Sequence, residues 1–204
     1  MIKLPRLRKD IAYRMTEPLV QLLAAMSISP NTLTWFGFLV TVGAAALIAM
    51  GHFLAGGLLV LFAGFFDMLD GALARKANRI TRFGGMLDST LDRLSEAALL
   101  LGILTLFLFN QDQSVLFTLI AREWSILLIG LALVGSLLVS YIRARAEALG
   151  LECQVGIFTR AERVVVLVVG LLINQIAIAL AIIVVLSFVT AAQRLIYVWQ
   201  QTKD

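Results

Sequence analysis

Residues 67–75 read DMLDGALAR and residues 84–92 read GGMLDSTLD, with eight residues between them. The flanks are apolar: FLAGGLLVLFAGFF over 53–66 and AALLLGILTLFLF over 97–109. Four aspartates therefore stand within segments that otherwise suit a bilayer, where a carboxylate costs about 2.5–3.5 kcal/mol on insertion scales. Asp67 and Asp70 are three residues apart and Asp88 and Asp92 four apart, so each pair shares one helical face. The short connector predicts antiparallel neighbouring helices whose acidic faces meet at one end. The resulting charge of −4 calls for a partner, because unpaired carboxylates in a low-dielectric site protonate or push the helices apart.

The rest of the chain gives this helix pair its setting. The 204 residues are 60% hydrophobic and 15% charged, with a mean hydropathy of +0.94, which predicts an all-α polytopic membrane protein with no separate soluble module. We read residues 1–204 as a single membrane domain. Apolar residues alternate with Arg6, Arg8, Lys9, Asp10 and Arg14 over 4–26, as in an amphipathic helix lying on the membrane surface. The same interruptions, with no small-residue cleavage site after them, argue against a signal peptide. Six transmembrane helices are expected over 33–199: about 33–50, 53–76, 84–109, 124–142, 157–173 and 176–199. Ser29-Pro30-Asn31-Thr32 starts the first, and Asn174-Gln175 separates the last two.

With six spans, both arginine-bearing connectors and both termini fall on one face. Of the seventeen Lys and Arg residues, Arg122 alone lies opposite. The positive-inside rule makes that face cytoplasmic, and the aspartates lie there too, so a multi-pass cell-membrane protein with a cytoplasmic active site is expected. The net charge of +4 reflects these flanks and headgroup contacts. It forms no continuous basic patch with interleaved aromatics, so nucleic acid is not an expected partner. The lone Cys153 excludes an intrachain disulfide and reads as an inert thiol.

Carboxylate-only ligation, with the single His52 at the opposite side of the membrane, favours two hard cations such as Mg²⁺ or Mn²⁺ over zinc. Gly71 and Ala74 leave room for phosphates beside the helix backbone, and Arg75 is placed to clamp them. Metals, small residues and an arginine together can hold a diphosphate while its bridging bond breaks. One aspartate could then serve as general base towards an incoming hydroxyl. A divalent-cation transporter is the non-enzyme alternative, but 53–66 and 97–109 offer no polar path across the bilayer.

The string Asp67-x-x-Asp70-Gly71-x-x-Ala74-Arg75, eight residues, Gly84-x-x-x-Asp88-x-x-x-Asp92 resembles the complete signature of the CDP-alcohol phosphotransferase family. The six-helix layout is similar as well. That resemblance implies a CDP-linked lipid, CDP-diacylglycerol or CDP-archaeol, held near Asn31, Thr34, Gly71, Ala74, Arg75 and Gly84. It also implies that Asp67, Asp70, Asp88 and Asp92 ligate metal, that Asp92 is the base, and that the enzyme is a homodimer releasing CMP.

The context Leu87-Asp88-Ser89-x-x-Asp92-Arg93, with Ser140-Tyr141-x-Arg143 and Arg160-Ala161-Glu162-Arg163, resembles the branch that makes phosphatidylinositol phosphate or archaetidylinositol phosphate. By that resemblance Ser140, Arg143, Arg163 and Arg194 bind the phosphate of a small phosphorylated alcohol, inositol phosphate. Phosphatidylglycerophosphate synthesis from glycerol 3-phosphate is the alternative. Enzymes of that kind usually carry Leu-Asp-Pro-x-x-Asp-Lys where this chain has Ser89 and Arg93.

Overall fold

The computed structural model of the chain describes residues 17, 19–22, 29–76, 81–109 and 122–203. Among them are six long helices and no strand: α1 Pro30–Ala49, α2 Phe53–Lys76, α3 Arg82–Phe109, α4 Arg122–Ala148, α5 Arg160–Leu172 and α6 Ile176–Gln201. The expected surface helix over 4–26 lies mostly outside the described residues, of which 17 and 19–22 are helical.

The helix ends follow from local chemistry. Ser29 Oγ accepts a hydrogen bond from the Thr32 N–H at 3.2 Å, and Pro30 occupies the first helical position, where a missing N–H costs nothing. Thr81 caps α3 in the same way, accepting from the Gly84 N–H at 2.9 Å. Helix α4 runs past the expected stop at 142, because Arg-Ala-Arg-Ala-Glu-Ala is a good helical sequence. It ends where Gly150 takes φ +77° and the Leu151 N–H reaches back to the Ala146 carbonyl at 3.0 Å, a Schellman closure.

Helix α5 starts three residues later than expected because Thr159 and Glu162 form a capping box. Asn174, at φ 55°, closes α5 while the Gln175 N–H bonds the Gly170 carbonyl at 2.7 Å. The polar pair thus separates the last two helices as its sequence suggests.

Helices α1, α2, α4 and α6 are long and apolar enough to cross a membrane. Helix α3 has 28 residues, but Asp88, Asp92 and Arg93 crowd its first half and Glu96 follows at its middle. Helix α5 has 13 residues, a length of about 20 Å.

The chain forms two compact units. In the first, made of Met1–Gly43 and Leu59–Ser95, Val20, Leu33, Leu69, Ala72 and Leu73 form a buried cluster beside Phe65 and Phe66. That cluster fixes α1 against the acidic end of α2. In the second, made of Ala44–Leu58 and Glu96–Asp204, α6 packs against α4 and α5, with Val139, Ile142 and Ala191 at one α4–α6 contact. Small residues allow close approach where α3 meets α1 in the same unit: a Cβ on Gly102 would stand 2.5 Å from the Ala45 carbonyl oxygen.

Candidate active site

The carboxylates of Asp67, Asp70 and Asp88 each place an oxygen within 4.8 Å of the others. Two helices joined by a short connector thus bring their acidic faces together, as the three- and four-residue spacings require. Asp92 lies outside this set. Asp70 is 6% exposed, its Oδ2 is buried with no protein partner, and the Thr34 hydroxyl lies against its carboxylate. A buried anionic oxygen without a partner is costly. A cation ligated by the three carboxylates removes that cost, and an all-oxygen donor set suits a hard divalent ion.

Beside the carboxylates opens a cleft of about 290 Å³. Its walls include Asn31, Thr34, Gly71, Ala74, Arg75 and Gly84, every residue expected to touch the CDP-lipid, together with Asp70 and Asp88. The small residues set its shape. A Cβ on Gly84 would stand 2.9 Å from Thr81 Oγ1 and 3.3 Å from Asn31 Oδ1, and one on Gly71 would stand 3.4 Å from Arg75 Nη1. Thr81 also lines the cleft and was not singled out from the sequence, although Thr-x-x-Gly before an apolar run is a capping signal.

The expected acceptor residues belong to the second compact unit, and the structure changes the picture of them as simple cations. Arg143 is exposed and donates from Nε to Glu147 Oε1 at 2.8 Å, a surface pair worth about 0–1 kcal/mol. Ser140 lies one turn before it on α4. Arg194 is buried, donating from Nε to the Val155 carbonyl at 2.9 Å and from Nη1 to the Val139 carbonyl at 2.6 Å. Arg143 and Arg163 both lie within electrostatic reach of it.

Arg163 is 2% exposed. Its Nε donates to Glu96 Oε1 at 2.6 Å and its Nη2 to Glu96 Oε2 at 2.8 Å. Ser136 Oγ donates to the same Glu96 Oε1 at 2.8 Å. Fork-to-fork pairing of this kind is strong and directional, and removing one partner of a buried pair costs about 3–5 kcal/mol. Glu96 and Ser136 had not been singled out. The available signal was that a glutamate in an apolar helix needs a partner.

The family profile described as CDP-alcohol phosphatidyltransferase matches residues 27–197. The chain is 39% identical over 202 residues to the archaetidylinositol phosphate synthase of Methanothermobacter thermautotrophicus, covering 96% of this chain and 94% of that one. It is 36% identical over 211 residues to the phosphatidylinositol phosphate synthase of Mycobacterium tuberculosis, covering 98% and 92%. A crystal structure of the latter with CDP-DAG bound superposes with a TM-score of 0.82 at 33% identity, covering 91% of this chain and 94% of that one. A second, in complex with manganese and citrate, gives 0.81 at 33% identity, covering 90% and 88%.

Proposed function

The chain belongs to the CDP-alcohol phosphatidyltransferase family, and on that premise we propose that it transfers a phosphatidyl or archaetidyl group from a CDP-linked lipid to inositol phosphate, releasing CMP. It is a membrane enzyme of phospholipid biosynthesis, which sets aside the cation transporter. The observation that carries the reading of the donor side is the cleft in which Asn31, Thr34, Gly71, Ala74, Arg75 and Gly84 meet Asp70 and Asp88.

Asp67, Asp70 and Asp88 would hold Mg²⁺ or Mn²⁺, with Asp92 as a further ligand. The bound ions supply Lewis-acid neutralisation of the diphosphate charge. Gly71, Ala74 and Gly84 let the diphosphate approach the helix backbones, and Arg75 pairs with a phosphate oxygen. Asn31 and Thr34, at the start of α1, orient the nucleotide end. A carboxylate oxygen of Asp92 takes the proton from the acceptor hydroxyl as its oxygen bonds to the lipid-side phosphorus. The bridging P–O bond breaks and CMP leaves with the electron pair.

Ser140, Arg143, Arg163 and Arg194 hold the acceptor phosphate. Support for inositol phosphate comes from the similarity to synthases of archaetidylinositol phosphate and phosphatidylinositol phosphate, and from Arg143 and Arg163 both lying within electrostatic reach of Arg194. All six helices span the bilayer, an amphipathic helix over 4–26 lies on its cytoplasmic surface, both termini and the cleft face the cytoplasm, and the enzyme is a homodimer. Cysteine labelling from each side of sealed vesicles tests the sidedness, and cross-linking in native membranes tests the dimer.

The functional test offers purified protein in proteoliposomes CDP-diacylglycerol or CDP-archaeol, with inositol 1-phosphate, glycerol 3-phosphate, free inositol or serine as acceptor. Inositol 1-phosphate should give the highest kcat/KM. A preference for glycerol 3-phosphate reassigns the acceptor, and a preference for an uncharged alcohol removes the role given to the arginines.

A further inference from the structure

We infer that Glu96 is a positioning residue for acceptor recognition: with Ser136 it grips one edge of the Arg163 guanidinium and thereby presents the remaining nitrogen to the acceptor phosphate. The inference rests on the acceptor reading above and goes one residue beyond it. Glu96 takes Nε and Nη2 of Arg163 on its two oxygens, and Ser136 bonds the same carboxylate, so the plane of the guanidinium is set from both ends of the carboxylate. Nη1 is what the clamp leaves over. It is buried and has no protein partner, in a side chain only 2% exposed.

A buried N–H group is almost always paired. Had the ion pair served only to bury two charges, the least costly arrangement would satisfy Nη1 as well. Leaving it unpaired makes chemical sense for a donor held ready for an anion. Rigid placement by a partner outside the ligand shell is the usual means of keeping a recognition group from collapsing onto solvent or neighbours.

The arrangement also bears on selectivity. A phosphate dianion satisfies a charged N–H that an uncharged acceptor leaves unpaired, and a site with an unpaired buried donor discriminates strongly against the ligand that lacks the matching group. Aiming the guanidinium through Glu96 lets one arginine be neutralised for stability and still keep one donor for binding.

The test measures steady-state kinetics of the full chain in proteoliposomes with CDP-diacylglycerol and inositol 1-phosphate, each varied separately, for wild type, Glu96→Gln, Ser136→Ala, Arg163→Ala and the double variant Glu96→Gln with Arg163→Ala. Arg163→Ala should lower kcat/KM for inositol 1-phosphate about ten- to a hundredfold, and Glu96→Gln about tenfold, through KM, with the KM for CDP-diacylglycerol unchanged. The double variant should be no worse than Arg163→Ala alone, because the clamp has then lost its object. Ser136→Ala, which keeps both charges and so guards against a Glu96 variant that fails to fold, should raise the acceptor KM about threefold.

A purely structural pair gives a different pattern: less folded protein and a lower apparent kcat, with both KM values unmoved. That pattern in Glu96→Gln and Ser136→Ala, alongside a raised acceptor KM in Arg163→Ala, overturns the role of Glu96 and leaves the acceptor reading standing. A wild type that does not prefer inositol 1-phosphate to free inositol overturns both.

Discussion

The carboxylate cleft and the arginine cluster treat charge in opposite ways. In the cleft, Asp67, Asp70 and Asp88 bring like charges within 4.8 Å, and Asp70 buries an oxygen that no protein group satisfies. In the cluster, Arg163 and Arg194 are buried too, yet Glu96 and the Val139 and Val155 carbonyls engage two nitrogens of each. The first leaves the buried Asp70 oxygen unsatisfied by protein; the second pairs each buried arginine through two of its nitrogens. The first arrangement leaves a buried acceptor open to a cation, whereas the second is a rigid frame in which Arg163 Nη1 is the buried donor left unpaired. The same type of substitution, removal of one charge, should therefore have opposite effects on stability in the two places.

The largest effect belongs to the cleft. Asp70→Asn and Asp88→Asn should each lower CMP release by at least about 100-fold, and excess chelator should abolish it in the wild type. Full activity in chelator would break the comparison at its root. Asp70→Asn should nonetheless raise the midpoint of thermal unfolding in metal-free detergent, since it removes a like charge. Mn²⁺ should stabilise the wild type, by about 2.7 kcal/mol at a hundred times its Kd, and the variant much less.

The next effect belongs to the cluster and has the other sign. Arg163→Ala should destabilise the protein by about 3–5 kcal/mol, because Glu96 is left charged and buried, while an apolar pair at Glu96 and Arg163 together should recover most of that loss and still lack acceptor recognition. Equal destabilisation of the single and the paired variants, read by denaturation in mild detergent, would show that packing and not charge holds the two helices.

Gly84→Ala comes third. Its methyl group meets Thr81 Oγ1 and Asn31 Oδ1, so it should disturb the α3 cap, costing about 1 kcal/mol, and raise the KM for the CDP-lipid more than that for the acceptor. Arg143→Ala should change stability least, within about 1 kcal/mol, because its pair with Glu147 is half exposed to solvent. A large stability loss there would mean that Arg143 is no less structural than Arg163.

The cleft was legible in the sequence because each part of it is local. Asp67 and Asp70, or Asp88 and Asp92, need only the period of one helix to share a face. Ser29-Pro30 marks where α1 begins, and the short sequence between α2 and α3 predicts neighbours, as the meeting of Asp88 with Asp67 and Asp70 bears out. Gly71, Ala74 and Arg75 follow Asp70 on the same helix, whereas Asn31, Thr34 and Gly84 were expected at the cleft only through the family resemblance, and Asn31 and Thr34 line it because α1 packs against α2. Helix ends were less legible: α4 continues to a left-handed Gly150 because its charged last turns still favour helix, and apolarity alone had suggested an earlier stop.

Composition, hydropathy and helical period were enough to establish an all-α membrane chain, an acidic helix pair and a set of small residues beside it, since those properties act over a few turns of one or two neighbouring helices. The partners of the buried charges were a different matter. Glu96 meets Ser136 across 40 residues of chain and Arg163 across 67, and nothing in the local pattern distinguishes Arg163, locked and buried, from Arg143, exposed on a helix end. Only the packing of α3, α4 and α5 decided which arginine is neutralised and which nitrogen is left over, because burial turns an ordinary flanking charge into one that must find a specific counter-charge.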